Sequence, residues 1–245
     1  MLAKMQMILE TSEEKTMPVQ NAIILQSILM SQINRDYAET MHISGLHPYS
    51  QCIEVQNGKT IWNINTTSKE AFEQIIKPLN EPEFQDFFIR QKQLGVRIKE
   101  KTVSTISKTE WLELCERKQE VLSIELSFIT PTAFRSQSQY IFFPKIHLIY
   151  QSLLNKYATA FEMENMKSEE ILEQLVESTR ILQYNLKSCG YAMKSVKIPA
   201  FTGKLTLQIK GTQTLINTAY RLFQFGDYSG VGIKTAMGMG RMRVM

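Results

Sequence analysis

Residues 51–65 read Gln51-Cys-Ile-Glu-Val-Gln-Asn-Gly-Lys-Thr-Ile-Trp-Asn-Ile-Asn65. Two runs with β-forming side chains, Gln51–Gln56 and Thr60–Asn65, flank the dipeptide Asn57-Gly58. An Asn-Gly pair between such runs favours a two-residue turn and is the strongest short-range signal for a β-hairpin. The stretch therefore predicts two antiparallel strands, and the rest of the first half is interpreted around them.

A predicted helix and a predicted strand lie on each side of this hairpin. Met17–Asn34 carries apolar residues at helical spacing, with Thr16 as a candidate cap and Pro18 in its first turn. The other elements predicted here are a first strand Lys4–Leu9, a helix opened by Ser68 and ended near Pro78, a closing strand Val96–Ile106 and a linking helix Glu110–Arg117. The order β-α-β-β-α-β is that of the ferredoxin-like unit.

The same order of predicted elements recurs in the second half, as a repeat of topology and not of sequence. These elements are a strand Val121–Phe128, a helix from Pro144, an inserted helix Ser168–Gln183, strands Tyr191–Ile198 and Lys204–Ile209 around Pro199–Gly203, a helix Thr214–Phe225 and a last strand Gly240–Met245. We expect an α+β protein of two tandem ferredoxin-like (RRM-like) domains, residues 1–120 and 121–245, with a glycine-rich loop near the C-terminus.

The composition is that of an ordinary globular protein, since 43% of the 245 residues are hydrophobic and 21% are charged. No apolar run approaches the roughly 20 residues that span a bilayer, and the N-terminus lacks a signal peptide pattern. We therefore expect a cytoplasmic protein without a membrane partner. The three cysteines lie far apart, and His42 and His47 are five residues apart, so neither set has the spacing of a zinc site. No metal and no cofactor are expected.

Charge is distributed unevenly along the chain. Residues 1–120 hold 14 basic and 16 acidic side chains, whereas residues 121–245 hold 14 and 8. Residues 185–245 hold 9 basic side chains and a single acid, Asp227. Such an asymmetry indicates a polyanion-binding face in the C-terminal half, and the alternative interpretation is a solvated charged surface.

The segment Gly230-Val-Gly-Ile-Lys-Thr-Ala-Met-Gly-Met-Gly240 holds four of the chain's 11 glycines. Glycine lets the backbone adopt positive φ and approach a ligand closely, and successive N–H groups then form an anion-binding concavity to which Lys234 adds charge. Ile233 stands before Lys234-Thr235 where a P-loop needs glycine, and the dinucleotide pattern GxGxxG fails at Thr235. A flexible turn into the last strand is the structural alternative.

This pattern, G-hydrophobic-G-x5-G-x-G with a basic residue inside x5, resembles the signature of the repeat-associated RNA-processing superfamily of CRISPR systems. Three further segments resemble that family: Phe128-Ile-Thr-Pro-Thr-Ala-Phe-Arg135, Tyr140-Ile-Phe-Phe-Pro144 and Ile198-Pro-Ala-Phe-Thr-Gly203. The resemblance covers residues 124–245 and is closest to the CRISPR repeat endoribonucleases that work with type III interference complexes.

The N-terminal half is more divergent. Family members carry a histidine after the first helix, and His42 in the segment Asp36-Tyr-Ala-Glu-Thr-Met-His42 occupies that position. Tyr37 lies five residues upstream, and His47 falls near the place where many relatives carry a lysine. The resemblance implies that His42 is catalytic, with Tyr37 orienting or assisting it and His47 or a nearby lysine stabilising the charged phosphorane. His147, on an apolar helix face, is interpreted as structural.

The activity implied by this resemblance is metal-independent cleavage of CRISPR repeat RNA for crRNA maturation. RNA carries its own nucleophile, the 2′-OH, so the products would be a 2′,3′-cyclic phosphate and a 5′-OH. The candidates for RNA contact are the four glycines Gly230, Gly232, Gly238 and Gly240 and the basic residues Lys234, Arg135, Lys194, Lys197 and Arg241. Lys194 and Lys197 are three apart on a predicted strand and would face opposite sides.

Other functions are left open by the sequence. A repeat-RNA-binding or interference-complex subunit without cleavage activity would share the fold and the glycine-rich loop. A nucleotide-binding enzyme would use the loop, although both nucleotide fingerprints fail. The expected partner is CRISPR repeat RNA, with a transient type III complex and a homodimer as open alternatives.

Overall fold

The computed structural model describes residues 1–13, 15–43, 45–116, 121–193 and 196–245, with the side chains of residues 42 and 43 excepted. The chain divides into two compact units, Met1–Ile106 with Ala236–Gly238, and Ser107–Thr235 with Met239–Met245. In the described part of the chain, no helix is long and apolar enough to cross a membrane.

The first unit is built on a five-stranded antiparallel sheet in the order β2-β3-β1-β5-β4. Its strands are β1 (Leu2–Thr11), β2 (Tyr49–Gln56), β3 (Lys59–Thr66), β4 (Asp86–Ile89) and β5 (Leu94–Ile106). The predicted hairpin is confirmed, because β2 pairs with β3 around Asn57 and Gly58, whose φ angles are 51° and 74°. The other four strands have the order of a ferredoxin-like sheet. The edge strand β4 was not predicted from the sequence.

The helices of this unit are α1 (Ala22–Gln32), α2 (Arg35–Ile43), α3 (Lys69–Ala71) and α4 (Lys77–Asn80), the last two joined by a π-helical stretch Phe72–Ile76. The predicted helix Met17–Asn34 is present but shorter at both ends, whereas α2 was not predicted. A 3-10 turn begins at Val19, Thr16 caps nothing, and the chain is extended at Ile33. Asn34 instead caps α2, since its Oδ1 accepts from the N–H groups of Asp36 and Tyr37 at 2.8 and 3.3 Å.

The core of the first unit lies between this sheet and its helices. Apolar residues of β1, β3 and α1 are buried, among them Met5, Met7, Leu25, Leu29 and Trp62. The short segment Ala236–Gly238 packs with this unit, and Gln51 Nε2 donates to the carbonyl oxygens of Ala22 and Ala236 at 2.7 and 3.0 Å.

The second unit holds a four-stranded antiparallel sheet in the order β11-β6-β10-β9, again the ferredoxin-like order. Its elements are α5 (Lys108–Leu114), β6 (Val121–Thr132), β7 (Phe134–Ser136), β8 (Gln139–Ile141), α6 (Ile146–Phe161), α7 (Glu169–Glu177), β9 (Thr179–Met193), β10 (Val196–Lys210), α8 (Gln213–Ser229) and β11 (Met242–Val244). β7 and β8 form a small separate hairpin.

Two predictions for the central strands of this unit were wrong. The inserted helix α7 ends at Glu177 and not at Gln183, because residues from Thr179 onward pair with β10. Pro199–Gly203 is not a hairpin turn but an internal part of β10. Val196–Ala200 pairs with β9 alone, so Pro199 removes no ladder hydrogen bond to β6, and the register shifts between Phe201 and Gly203.

The boundary between the units falls after Ile106 and not at residue 120 as expected. The reason is that α5 packs into the aromatic core of the second unit. Ser107 and Glu110 form a capping box at its start, and Trp111 stacks on Phe161 with ring centroids 5.6 Å apart. Helix α5 is therefore part of the second unit rather than a linker.

Candidate functional site

The glycine-rich loop of the second unit folds back on itself. Gly230, Gly232, Gly238 and Gly240 all have φ between 64° and 96°, and Lys234 has φ of 57°. Val231 N–H donates to the carbonyl oxygen of Gly240 at 2.8 Å, which closes the loop. The Ile233 and Gly240 N–H groups donate to the carbonyl oxygens of Ala133 and Pro131, both at 3.0 Å. The loop is thus fixed to the end of β6.

Glycine is required at Gly232 by both backbone conformation and space. A Cβ at this position would collide with the carbonyl oxygen of Ala133, a backbone atom, and φ of 78° is unfavourable for any L side chain. Glycine at this position therefore allows the loop backbone to lie close to the backbone at Ala133. A merely flexible turn would not need this.

Gly232→Ala is expected to lower the free energy of unfolding by about 2–4 kcal/mol, because the positive φ alone costs about 1–2 kcal/mol and the collision adds to it. Gly45→Ala is the control, since a Cβ there meets nothing within 4 Å. Urea unfolding of both variants measures the difference. Equal stability of the two variants would show that the loop geometry is wrong.

Two side chains one turn apart on helix α6 form hydrogen bonds with this loop. Ser152 Oγ accepts from the Gly232 N–H at 2.8 Å. Lys156 Nζ donates to the carbonyl oxygens of Ser229 and Gly230 at 3.3 and 3.1 Å and to Thr235 Oγ1 at 3.3 Å. The sequence analysis missed both residues, although two polar residues four apart on an apolar helix are a detectable signal.

The ammonium group of Lys156 is enclosed by protein, while the residue as a whole is only partly buried. Its hydrogen-bond acceptors are neutral oxygens, and burial lowers its pKa from 10.5 to about 7. Lys156 therefore links the C-terminal end of α8 to the loop. Burial of its ammonium group disfavours the charged form.

Arg241 does not fit its predicted role in RNA binding. It is only 6% exposed, and its guanidinium lies 2.7 Å from the Asp227 carboxylate and also donates to the Asp227 carbonyl oxygen. Its own N–H donates to Thr130 Oγ1 at 3.0 Å. Because these contacts occupy its guanidinium, Arg241 fixes the base of the loop and is not available to bind a phosphate.

The other predicted RNA contacts of the second unit differ in accessibility. Lys234, Arg135 and Lys197 are exposed, on the loop, on β7 and on β10 respectively. The stem of Lys197 passes over Gly190 on the neighbouring strand β9, where a Cβ would meet it. Lys194 lies outside the described residues, so its predicted orientation opposite to Lys197 stays a prediction.

The candidate catalytic residues belong to the first unit. Helix α2 carries Tyr37 in its first turn and His42 near its end, but the side chain of His42 lies outside the described part of the structure. Tyr37 is half-buried and packs on the core. Within the described residues, its buried hydroxyl has no hydrogen-bond partner. Burial, and to a smaller extent the Glu70 carboxylate, raises the pKa of Tyr37 to about 12.

Tyr49 at the start of β2 brings the predicted residues Tyr37 and His47 to one place. The His47 and Tyr49 rings have centroids 5.8 Å apart, tilted by 50°. Burial raises the pKa of Tyr49, and the neighbouring Tyr37 adds to this rise. The rings of His47 and Tyr49 therefore lie together at the loop that leads from α2 into β2, and Tyr37 is near enough to Tyr49 to influence its pKa. Tyr49 was not among the residues predicted from the sequence.

The described residues contain no group of three or more His, Cys, Asp or Glu side chains that could hold a metal ion.

Comparison with known proteins identifies the family. Residues 126–242 match the model of the CRISPR-associated endoribonuclease Cas6. A Mycobacterium tuberculosis protein named CRISPR-associated endoribonuclease Cas6 is 30% identical over 221 residues, which are 90% of this chain and 70% of that protein. The chain belongs to the Cas6 family of CRISPR-associated endoribonucleases. The predicted class of enzyme is thereby confirmed, against the alternatives of a pure binding subunit and a nucleotide-binding enzyme.

A second relative agrees with this assignment, and solved structures show the same fold. The Streptococcus thermophilus Cas6 is 28% identical over 227 residues, covering 91% of this chain and 90% of that protein. A structure of a Cas6 product complex superposes with a TM-score of 0.79 at 20% identity, covering 100% of both chains. Thermus thermophilus Cas6 superposes with a TM-score of 0.71 at 21% identity, covering 100% and 98%. The tandem ferredoxin-like fold predicted from sequence is confirmed.

Proposed function

We propose that this Cas6 protein binds CRISPR repeat RNA and cuts it by attack of the RNA's own 2′-OH, with His42 as the central catalytic residue. The observation that supports this most is the position of Tyr49. Its ring contacts His47 and it lies near Tyr37, which is on the same helix as His42.

The reaction needs two proton transfers and no covalent enzyme intermediate. The 2′ oxygen attacks the phosphorus as its proton leaves, and the bond between phosphorus and the 5′ oxygen breaks as that oxygen receives a proton. The products are a 2′,3′-cyclic phosphate and a 5′-OH. A histidine suits either transfer because its ordinary pKa near 6.5 makes both protonation states available at neutral pH. His42 is assigned one of these transfers.

Tyr37 has the character of a hydrogen-bond donor rather than a base. With a pKa raised to about 12, its hydroxyl stays protonated throughout the neutral range. It would orient His42 by donating a hydrogen bond, and its free bonding capacity among the described residues supports this role. His47 is proposed to stabilise the charge of the phosphorane when protonated.

RNA binding is proposed for the second unit. The exposed side chains of Lys234, Arg135 and Lys197 supply positive charge, and the glycines, three of which are buried, hold the loop that presents Lys234. Lys194 stays a candidate. Cytoplasmic localisation, transfer of the product to a type III interference complex and homodimer formation stay predictions.

Incubation of the protein with 5′-labelled repeat RNA in excess EDTA tests the proposed function. We expect one main cut within the repeat and a 5′ fragment that ends in a 2′,3′-cyclic phosphate. A shifted but intact RNA would indicate a binder without this activity, and cleavage that requires added Mg²⁺ would contradict the metal-independent mechanism.

A further inference from the structure

The hairpin β7–β8 has one buried face that fixes it to the second unit. Phe134 pairs with Ile141, is 3% exposed and lies against Phe201 with ring centroids 6.4 Å apart. The turn residues Gln137 and Ser138 both have positive φ, 48° and 64°. Two consecutive residues in this conformation match the right-handed twist of the strands. The hairpin is therefore an anchored structure and not a loose loop.

The other face of this hairpin carries Arg135 and Tyr140, and two further exposed aromatic residues, Phe142 and Phe143, follow β8 directly. Arg135 and Tyr140 are directly opposite one another in the register and so lie on the same face. Tyr140, Phe142 and Phe143 are 36%, 47% and 59% exposed. Three exposed aromatic rings within four residues are a costly arrangement for an unbound surface and mark an interaction site.

The charge around these rings favours a polyanion over an apolar protein partner. Residues 126–161 contain no aspartate or glutamate, while Arg135 and Lys145 are exposed on either side of the aromatic segment. Flat rings interleaved with basic side chains suit nucleic acid, because bases stack on the rings and the cations contact phosphates.

The hairpin also begins next to the glycine-rich loop. Ala133, whose carbonyl oxygen accepts from Ile233 of the loop, is only two residues before Arg135. RNA held by the exposed Lys234 would thus continue onto the hairpin. An unpaired segment fits best, since bases inside an A-form helix are already stacked and their faces are not accessible.

We propose that Tyr140, Phe142 and Phe143 form a stacking platform for unpaired bases of the RNA, next to the phosphates bound by Arg135 and Lys234. This inference rests on the proposed function and adds a binding site for single-stranded RNA to it.

The test is the affinity of the triple variant Y140A/F142A/F143A for labelled repeat RNA with its single-stranded flanks, measured in EDTA. Each stacked base contributes about 1–3 kcal/mol, or roughly 5–150-fold, so we expect a loss of at least tenfold. The aromatic exchange Y140F/F142Y/F143Y should keep most of the affinity. Phe88→Ala is the control, because Phe88 is 52% exposed on the edge strand β4 of the first unit.

RNAs with single abasic sites locate the stacked bases. An abasic site at a stacked position should weaken wild-type binding but leave the triple variant almost unchanged. If the triple variant is folded by circular dichroism and binds intact RNA like wild type, the platform is wrong while cleavage by wild type still supports the proposed function. Equal losses for every abasic RNA in both proteins, or a change in oligomeric state with unchanged RNA affinity, would also overturn it. A wild type that neither binds nor cuts would overturn the proposed function itself.

Discussion

His42→Ala is expected to reduce the single-turnover cleavage rate of repeat RNA by about 10²–10⁴-fold, the contribution of one positioned proton-transfer group. The dissociation constant for RNA should change by less than threefold, because the proposed phosphate contacts lie in the second unit. Rapid quench of enzyme in excess over labelled RNA measures the rate, and a gel-shift assay measures binding.

His147→Ala is the matched control for this experiment. His147 lies on α6 of the second unit, partly exposed and 3.9 Å from Glu169, and has no place in the proposed chemistry. It should leave the rate unchanged, and Tyr37→Phe should give a loss between the two histidine variants. A His42→Ala rate within threefold of wild type would remove His42 from the mechanism.

Lys156→Met is expected to change how stability depends on pH. The pKa of this lysine is lowered from 10.5 to about 7 by burial, so between these values the unfolded chain binds a proton that the folded chain does not. The free energy of unfolding of wild type therefore gains a contribution that rises with pH above 7. From pH 7 to pH 9.5 this contribution is roughly 3 kcal/mol, and Lys156→Met lacks it.

Urea unfolding of both proteins at pH 7, 8, 9 and 9.5 measures their free energies of unfolding. The difference between the two proteins isolates the effect of Lys156, because the contributions of the other titrating groups cancel. Lys145→Met removes the same charge from an exposed site just before α6 and should leave the pH dependence as in wild type. A difference between wild type and Lys156→Met that stays constant over this range would contradict the burial of the ammonium group.

Local signals determined which parts of the fold were predictable. The hairpin around Asn57-Gly58 was predicted correctly because both strands and the turn are specified within 15 residues. Pro199 and Gly203 also resemble a turn, yet they lie inside β10. That strand has a locally unpaired side at Pro199, and at Gly203 a Cβ would collide with the carbonyl oxygen of Asn185. Such an arrangement depends on neighbouring strands and is invisible in a local pattern.

The candidate site was also predictable only where the signal is local in the sequence. The glycine pattern and the exposed Lys234 were evident from the sequence. The function of Arg241 was misread because its partner Asp227 lies 14 residues away on α8, and only the folded chain brings the two charges together. The spacing of Ser152 and Lys156 on an apolar helix was detectable, but the partner of Lys156 was not, because its acceptors are mainly backbone oxygens at a helix end and carry no residue-type signal.

Cleavage of an RNA with a single 2′-deoxy nucleotide immediately 5′ of the scissile phosphate tests the central claim most directly. We predict that this RNA binds with the same affinity as the all-ribose RNA and is not cut at that phosphate, since the attacking oxygen is missing. Cutting at the same position and at a similar rate would mean that water or a protein side chain is the nucleophile, which would contradict the mechanism built on His42.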